Sequence, residues 1–136
     1  MRKAVSILSM IATIFVVSAC AIIDSSNEKS KYKMIDVATA KALHERNAMF
    51  IDIRNKNWFD EGHIPGAVNI PFSNFNTNSI ARVAGKDREI VFYCYGIHCD
   101  YSNAASDRAL FWGYQNVYYF MQGYPAWLGA GYPIEQ

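Results

Sequence analysis

The sequence predicts an α/β domain built on a mostly parallel central sheet, and three observations support this prediction. Short apolar segments rich in β-branched and aromatic residues alternate with segments of helical periodicity, the pattern of repeated βαβ units. The length of 136 residues suits a single domain and leaves no room for two independent cores. With 51% hydrophobic and only 18% charged residues, the composition excludes a disordered chain.

The first half of the domain contains two predicted strands among short helical segments. Residues 36–46 predict a helix that begins with an N-cap aspartate. Residues 48–53 form an apolar run of strand length, and the segment 58–64 indicates a small helical turn. A second brief strand is predicted over 67–70, followed by a short helix over 78–83.

The second half contains the strongest strand signal. Residues 89–93 are apolar, β-branched and aromatic, as expected of a buried strand. A loop over 94–100 leads to a helix predicted over 101–112, and a further strand and a last helical turn are predicted over 116–120 and 124–128. The apolar face of the 101–112 helix is predicted to consist of five residues: Ala104, Ala105, Ala109, Leu110 and Phe111.

The start of the chain predicts a targeting segment, which is excluded from the fold. Arg2 and Lys3 precede an almost unbroken apolar run over 4–17. The segment 17–20 (VSAC) resembles the bacterial lipobox, whose cysteine is acylated and becomes the new N-terminus; Cys20 is therefore the predicted lipidation site. An uncleaved membrane anchor is the alternative, because the apolar stretch is nearly long enough to span a bilayer.

The chain therefore divides into a lipoprotein signal peptide at 1–19, a lipidated cysteine with a flexible tether at 20–31, and a folded domain at 32–136. We expect an exported protein that is lipid-anchored in the bacterial cell envelope and faces the periplasm. Ala21 stands where an inner-membrane retention signal has an aspartate, which favours the outer membrane in a Gram-negative organism.

Charge and motifs exclude several classes of function. Thirteen basic and twelve acidic residues give a net charge of +1, and removal of Arg2 and Lys3 with the signal peptide leaves −1. This balance provides no basic surface for nucleic acid. No phosphate-binding loop or dinucleotide fingerprint is present, and nothing resembles a metal-binding cluster, so we expect no cofactor and no metal.

The position of Cys94 suggests a chemical role for its thiol. It directly follows a predicted buried strand and precedes a helix, and open α/β sheets bind ligands beyond the carboxyl ends of their strands. The N-terminus of the following helix stabilises a thiolate and binds anions, and His98 adds positive charge when protonated. Position alone leaves two interpretations open, a nucleophile and an inert buried cysteine.

Three ordered motifs extend over almost all of residues 32–135. The first spans 51–71 (IDIR, then FDEGHIPGAVNIP), and the second spans 91–105 (VFYC, then Ser102 and a pair of alanines). The third spans 113–134 and contains GYPAW and GYPI. Together these motifs resemble the rhodanese family of single-domain sulfurtransferases. The resemblance implies a rhodanese-like three-layer domain, with helices on both faces of the sheet.

The resemblance also implies a persulfide mechanism. Cys94 would be the catalytic residue, accepting sulfur from a small sulfur-containing anion such as thiosulfate. A thiol, cyanide or the thiol of a partner protein would then remove that sulfur. The implied active-site and substrate-binding loop consists of six residues: Tyr95, Gly96, Ile97, His98, Cys99 and Asp100.

This loop departs from the usual family pattern C-x-x-G-x-R-S. Its glycine comes earlier, the arginine is absent, and Asp100 or Tyr101 stands in its place. The departure disfavours a phosphatase, which needs that arginine, more than a sulfurtransferase. Tyr95, next to Cys94, is predicted at the pocket entrance, where it would select donor or acceptor by size; unchanged kinetics of Tyr95→Ala for every substrate would exclude this hypothesis.

Cys99 leaves several alternatives open. The two loop cysteines are five residues apart, close enough for a disulfide if the backbone permits one. Cys99 would then resolve a redox-active Cys94, or resolve its persulfide and release the sulfur. Alternatively, Cys99 only packs against the following helix. A permanent structural disulfide would instead favour a catalytically inactive rhodanese-like binding module.

Supporting roles are predicted for Asp52, Arg54 and His63. The first two are expected to form a salt bridge or to fix a loop, and His63 to anchor a turn through hydrogen bonds. His44 is expected at the surface of its helix. Most aromatic residues are expected in the core, with a packed rim formed by three of them: Trp112, Trp127 and Tyr132.

Overall fold

The structure of this protein is a computed structural model that describes residues 31–136. The predicted signal peptide, Cys20 and the tether up to residue 30 lie outside the described residues. Within the described part of the chain, no helix has the length and apolar character needed to cross a membrane.

A five-stranded sheet forms the centre of the domain, and every pairing in it is parallel. The strand order is β1-β5-β4-β2-β3. The predicted parallel α/β fold is therefore confirmed. β1 was not predicted from the sequence, because it is a three-residue edge strand with mainly exposed side chains. The strands are β1 (Lys33–Ile35), β2 (Met49–Asp52), β3 (Val68–Asn69), β4 (Glu89–Tyr93) and β5 (Asn116–Phe120).

In residues 31–136, four α-helices and a short 3-10 helix over Phe72–Asn74 connect these strands, and a fifth α-helix follows β5. Asp36 caps the first helix as predicted, since its carboxylate accepts the backbone N–H of Thr39 at 2.8 Å. The helices are α1 (Val37–Glu45), α2 (Lys56–Glu61), α3 (Thr77–Ala81), α4 (Tyr101–Phe111) and α5 (Gly123–Gly129).

Side chains of the central strand alternate between two hydrophobic cores, one on each face of the sheet. Ile90 and Phe92 of β4 pack into the core that includes Ala105 of α4. Val91 of β4 points to the other core, which includes Leu43 of α1 and residues of α5. Both faces are covered, which accounts for the apolar and aromatic run Ile90–Tyr93 in β4, and the domain has the three layers expected of the fold.

The strand register brings the carboxyl ends of three neighbouring strands to one edge of the sheet. Asp52 of β2 pairs with Tyr93 of β4, and Tyr93 pairs with Phe120 of β5. The segments that follow these residues therefore leave the sheet side by side. This edge carries the candidate active site.

The predicted apolar face of α4 is partly wrong. Ala105 and Ala109 are buried as expected, but Phe111 is 74% exposed. The buried face continues instead through Ser102 and Ser106, and the Ser106 hydroxyl donates to the carbonyl of Ser102 at 2.8 Å. The buried residues of α4 share one face of the helix, and at about 100° per residue Phe111 lies roughly opposite them, so its side chain points away from this core.

Two further predictions are corrected by the packing between α1 and α5. His44 is half-buried rather than at the surface: its Nε2–H donates to the carbonyl of Pro65 at 2.8 Å. Its ring packs edge-on against Phe50 and Trp127. Trp127 itself is fully buried and is a core residue, not part of a rim; its indole N–H donates to the carbonyl of Pro133 at 2.8 Å.

Candidate active site

The expected salt bridge between Asp52 and Arg54 is present and buried. Arg54 Nη2 lies 2.6 Å from Asp52 Oδ2, and Arg54 Nε lies 3.0 Å from each carboxylate oxygen. Arg54 Nη2 also donates to the carbonyl of Gly62 at 2.8 Å. The exposed fractions of Asp52 and Arg54 are only 0% and 3%. The pair therefore joins the end of β2 to the segment that follows α2.

Aromatic rings enclose the Arg54 guanidinium. Its carbon lies 4.3 Å from the ring centroid of Tyr124, 5.7 Å from that of Tyr95 and 5.8 Å from that of Tyr93. Burial lowers the pKa of Arg54, but the hydrogen bonds and charge of Asp52 outweigh it and raise the pKa above its ordinary value. Burial, reinforced by Asp52, raises the pKa of Tyr93 well above its ordinary value, so this phenol stays neutral.

His63 anchors a turn, as the sequence predicted. Its Nδ1–H donates to the carbonyl of Phe59 at 2.9 Å, and the two rings stack with centroids 3.7 Å apart. Its backbone forms an antiparallel bridge with Glu135 near the end of the chain. These contacts fix the segment between α2 and β3 and occupy the histidine in a structural role.

Cys94 lies directly after β4 with an exposed fraction of 1%, and it forms a disulfide with Cys99. Their Cα atoms are 6.2 Å apart, within the ordinary range for such a bond. This pairing was one of the alternatives that the sequence left open. Neither sulfur is a free thiol in this form, so nucleophilic chemistry at Cys94 requires reduction first.

The loop over 94–100 rests on the start of α5. The backbone N–H of Tyr124 donates to the carbonyl of Cys94 at 3.0 Å. Gly123 has φ +60°, and a Cβ there would lie 2.3 Å from the Cys94 oxygen and 2.9 Å from the Gly96 nitrogen. Gly96 has φ +124° and approaches the carbonyl of Gln122. Glycine at both positions therefore permits the close contact that shapes the loop.

A cavity of about 960 Å³ opens over this loop. All six residues predicted to form the active-site loop, 95–100, line it, whereas Cys94 does not. Their roles in substrate binding stay predictions. Gln122, Pro125 and Ala126 also line the cavity and were missed as site residues. They follow β5, and because parallel strands that lie side by side end at the same edge, the predicted sheet contained the signal to find them.

Exposed apolar side chains surround the cavity. Tyr95 packs edge-on against Trp58 with ring centroids 5.3 Å apart, and it also lines two smaller cavities of about 210 and 420 Å³. Clustered exposed hydrophobic groups of this kind mark interaction surfaces. The exposed large hydrophobic residues that line the three cavities are Trp58, Tyr95, Ile97, Tyr101, Leu128 and Ile134.

The start of α4 supplies backbone donors where the loop ends. Asp100 occupies the N-cap position but makes no side-chain hydrogen bond to the helix. The N–H groups of the first turn are therefore not capped by a side chain, and such groups can bind an anion. Among residues 31–136, no cluster of His, Cys, Asp and Glu is arranged to hold a metal ion.

The fold and the site together define a class of protein: an α/β domain that presents a cysteine-containing loop at the carboxyl edge of a parallel sheet. Within this class, the chain belongs to the rhodanese-like domain family, whose model matches residues 36–130. This finding confirms the resemblance in the three sequence motifs.

Relatives and solved structures agree with this assignment. The chain is 32% identical over 106 residues to the thiosulfate sulfurtransferase GlpE of Pseudomonas fluorescens, covering 78% of this chain and 93% of the relative. The fold is similar to that of the BH2092 protein of Bacillus halodurans, with a TM-score of 0.69, 24% identity and 77% of each chain covered. A protein of Rhodopseudomonas palustris, described as of unknown function and a possible tyrosine phosphatase, has a TM-score of 0.63 and 28% identity, with 76% of this chain and 85% of that chain covered.

We predict that Arg54→Met destabilises the domain by about 3–5 kcal/mol, because it leaves the buried Asp52 carboxylate without its partner. Urea unfolding followed by circular dichroism would measure the loss. Lys56→Met is the matched control, since Lys56 forms an exposed ion pair with Asp60 and its loss should change stability far less. Equal losses in the two variants would contradict a structural role for the buried pair.

A second prediction concerns the contact between the loop and α5. Gly123→Ala should lower the free energy of unfolding by more than about 2 kcal/mol, because it combines left-handed strain with a backbone clash. Gly129→Ala, in the same helix with no atom within 4 Å of the added Cβ, should be neutral or slightly stabilising. Thermal unfolding of both variants would test this, and a neutral Gly123→Ala would show that the contact does not constrain the loop.

Proposed function

We propose that this protein is a membrane-tethered sulfurtransferase that moves a sulfane sulfur from a donor such as thiosulfate to a thiophilic acceptor through a persulfide on Cys94. One observation carries the proposal: Cys94 follows β4 at the carboxyl edge of the sheet and begins the loop that lines the cavity of about 960 Å³. The similarity to a thiosulfate sulfurtransferase over nearly that protein's whole length supports the same conclusion.

The reaction has two displacement steps. The Cys94 thiolate attacks the outer sulfur of thiosulfate, the sulfur–sulfur bond of the donor breaks, and sulfite leaves. Cys94 then carries a persulfide. In the second step the acceptor attacks the outer sulfur, and Cys94 leaves again as a thiolate. An acceptor such as cyanide becomes thiocyanate, and a thiol becomes a persulfide.

The site provides features that suit an anionic donor. The cavity is lined by the loop backbone and by His98, which is exposed and adds positive charge when protonated. The uncapped first turn of α4 offers N–H groups to a bound oxyanion or to the thiolate. Asp100, exposed beside them, carries the same sign of charge as any bound oxyanion, thiosulfate included, and so weakens this attraction.

The tether is proposed from the sequence. Cys20 ends a lipobox-like segment, and a polar stretch separates it from β1. Acylation there would attach the domain to the cell envelope as an exported lipoprotein. The compartment would be oxidising, which is consistent with the disulfide in the loop.

We predict that sulfur loading requires Cys94 but not Cys99. Trypsin should release both loop cysteines in one peptide, residues 89–108, which separates them from Cys20. After reduction, exposure to thiosulfate and alkylation, this peptide from Cys99→Ser should gain one sulfur atom, because the persulfide cannot be resolved within the loop. Mass spectrometry measures the gain.

The matched control for this experiment is Cys94→Ser, which should gain no sulfur and form no thiocyanate from thiosulfate and cyanide. Circular dichroism should show that both variants keep the wild-type fold. An unmodified peptide in reduced, folded Cys99→Ser would contradict the proposal and favour a binding module.

The tether makes a separate prediction. Wild-type protein expressed in a Gram-negative host should incorporate labelled palmitate and fractionate with membranes, whereas Cys20→Ser should lose the label. N-terminal mapping of the wild type should find modified Cys20 as the first residue. A membrane-bound wild type that keeps Met1 and takes up no palmitate would instead indicate an uncleaved anchor.

A further inference from the structure

We propose that Cys99 resolves the Cys94 persulfide, so that the domain reduces sulfane sulfur to hydrogen sulfide and returns to the disulfide form seen in the structure. This inference rests on the proposed function, because it needs the persulfide as its starting point. It adds a second activity to transfer: release of sulfide at the expense of a dithiol reductant.

The folded loop places the two sulfur atoms within bonding reach of each other. The disulfide forms with ordinary Cα separation, and the backbone N–H of Cys99 donates to the carbonyl of Gly96 at 3.0 Å, which turns the loop back toward Cys94. A Cβ added at Gly96 would lie 3.2 Å from the carbonyl oxygen of Gln122, so this turn lies close to the segment that follows β5. No other cysteine lies in residues 31–136, so Cys94 has one possible partner in the described domain.

The two cysteines differ in accessibility in a way that suits these roles. Cys94 has an exposed fraction of 1% and does not line the cavity. Cys99 is half-buried and does line it. A sulfur acceptor must reach the persulfide through the cavity, whereas Cys99 is already beside it. An intramolecular attack of this kind has a high effective concentration and competes well with external thiols.

The bonds and electrons of the resolving step balance between Cys94, Cys99 and the departing sulfur. The Cys99 thiolate attacks Sγ of Cys94, the bond between this Sγ and the outer sulfur breaks, and the outer sulfur leaves as hydrosulfide. The sulfane sulfur gains two electrons, and the two cysteine sulfurs lose them as they form the disulfide. The proton of the Cys99 thiol appears on the hydrosulfide or in solvent.

Regeneration requires a dithiol, such as a thioredoxin-like domain or dithiothreitol. One thiolate of the dithiol attacks the accessible Sγ of Cys99, and the Cys94 thiolate leaves. The second thiol of the reductant then attacks the mixed disulfide and displaces the Cys99 thiolate, so that the reductant donates two electrons to the cysteine pair and leaves as a disulfide. The accessibility difference therefore directs reduction so that the nucleophile is released first.

A single-turnover experiment tests this inference with the full-length protein in detergent. The protein is reduced, freed of reductant without oxygen, and mixed with excess thiosulfate. Sulfide is measured with methylene blue. The thiols are alkylated, and the mass of peptide 89–108 is measured by mass spectrometry. The wild type should release about one sulfide per chain and yield the unalkylated disulfide peptide. Cys99→Ser and Cys99→Ala should release only background sulfide and keep the extra sulfur.

The outcomes separate this inference from the proposed function. If the wild-type peptide keeps the extra sulfur and no sulfide appears, the inference is wrong and the sulfurtransferase proposal stands. Equal sulfide release by the wild type and both Cys99 variants would also overturn it. If the reduced wild-type protein and both Cys99 variants gain no sulfur and release no sulfide, the proposed function is wrong. The inference is then wrong as well.

Discussion

The parallel register of β2, β4 and β5 determines where every candidate functional group of this domain lies. Because Asp52, Tyr93 and Phe120 are paired across the sheet, the three segments that follow them leave it at one edge. The first segment contributes Arg54, the second the cysteine loop, and the third the glycine on which that loop rests. A slip of one residue in any pairing would turn the side chains of the paired strand residues to the other face of the sheet.

The site is held by two kinds of contact that differ in physical character. The buried ion pair of Asp52 and Arg54 fixes the end of β2 through charge and hydrogen bonds, and aromatic rings close over it. The loop itself contacts α5 mainly through backbone atoms, where Gly123 allows an approach that any side chain would block. Charge therefore positions the surroundings, and backbone proximity shapes the loop that carries Cys94 and Cys99.

Much of the fold was predictable because the local hydrophobic pattern of the sequence agrees with the burial of the same residues in the structure. Both β4 and β5 have the bounds that the sequence predicted, since their apolar residues are buried on both faces of the sheet. β1 was not predictable, because its strand conformation depends on pairing with β5 rather than on its own residues. Phe111 was mispredicted for another reason: at about 100° per residue it lies roughly opposite the buried residues of α4, so it had been assigned to the wrong face.

Only part of the candidate site was predicted, because some of its residues are brought together by the sheet and not by the sequence. Cys94 and its loop were found because they are contiguous in sequence, whereas Gln122, Pro125 and Ala126 join them only through the sheet. The disulfide depends on how the loop turns, which five residues of spacing do not specify. The Asp52–Arg54 pair was expected because the family resemblance implied an interior network at the end of this strand.

The direction of β1 sets which end of the sheet the start of the described chain meets. β1 runs parallel to β5 at the edge of the sheet, so the chain enters the domain at the amino ends of the strands. The cysteine loop lies at the opposite ends, about 16 Å away along a five-residue strand. In the tethered form that we propose, the lipid would be joined to the domain at the end of the sheet opposite the cavity. Soluble sulfur donors and reductants would reach it without crossing the headgroup region.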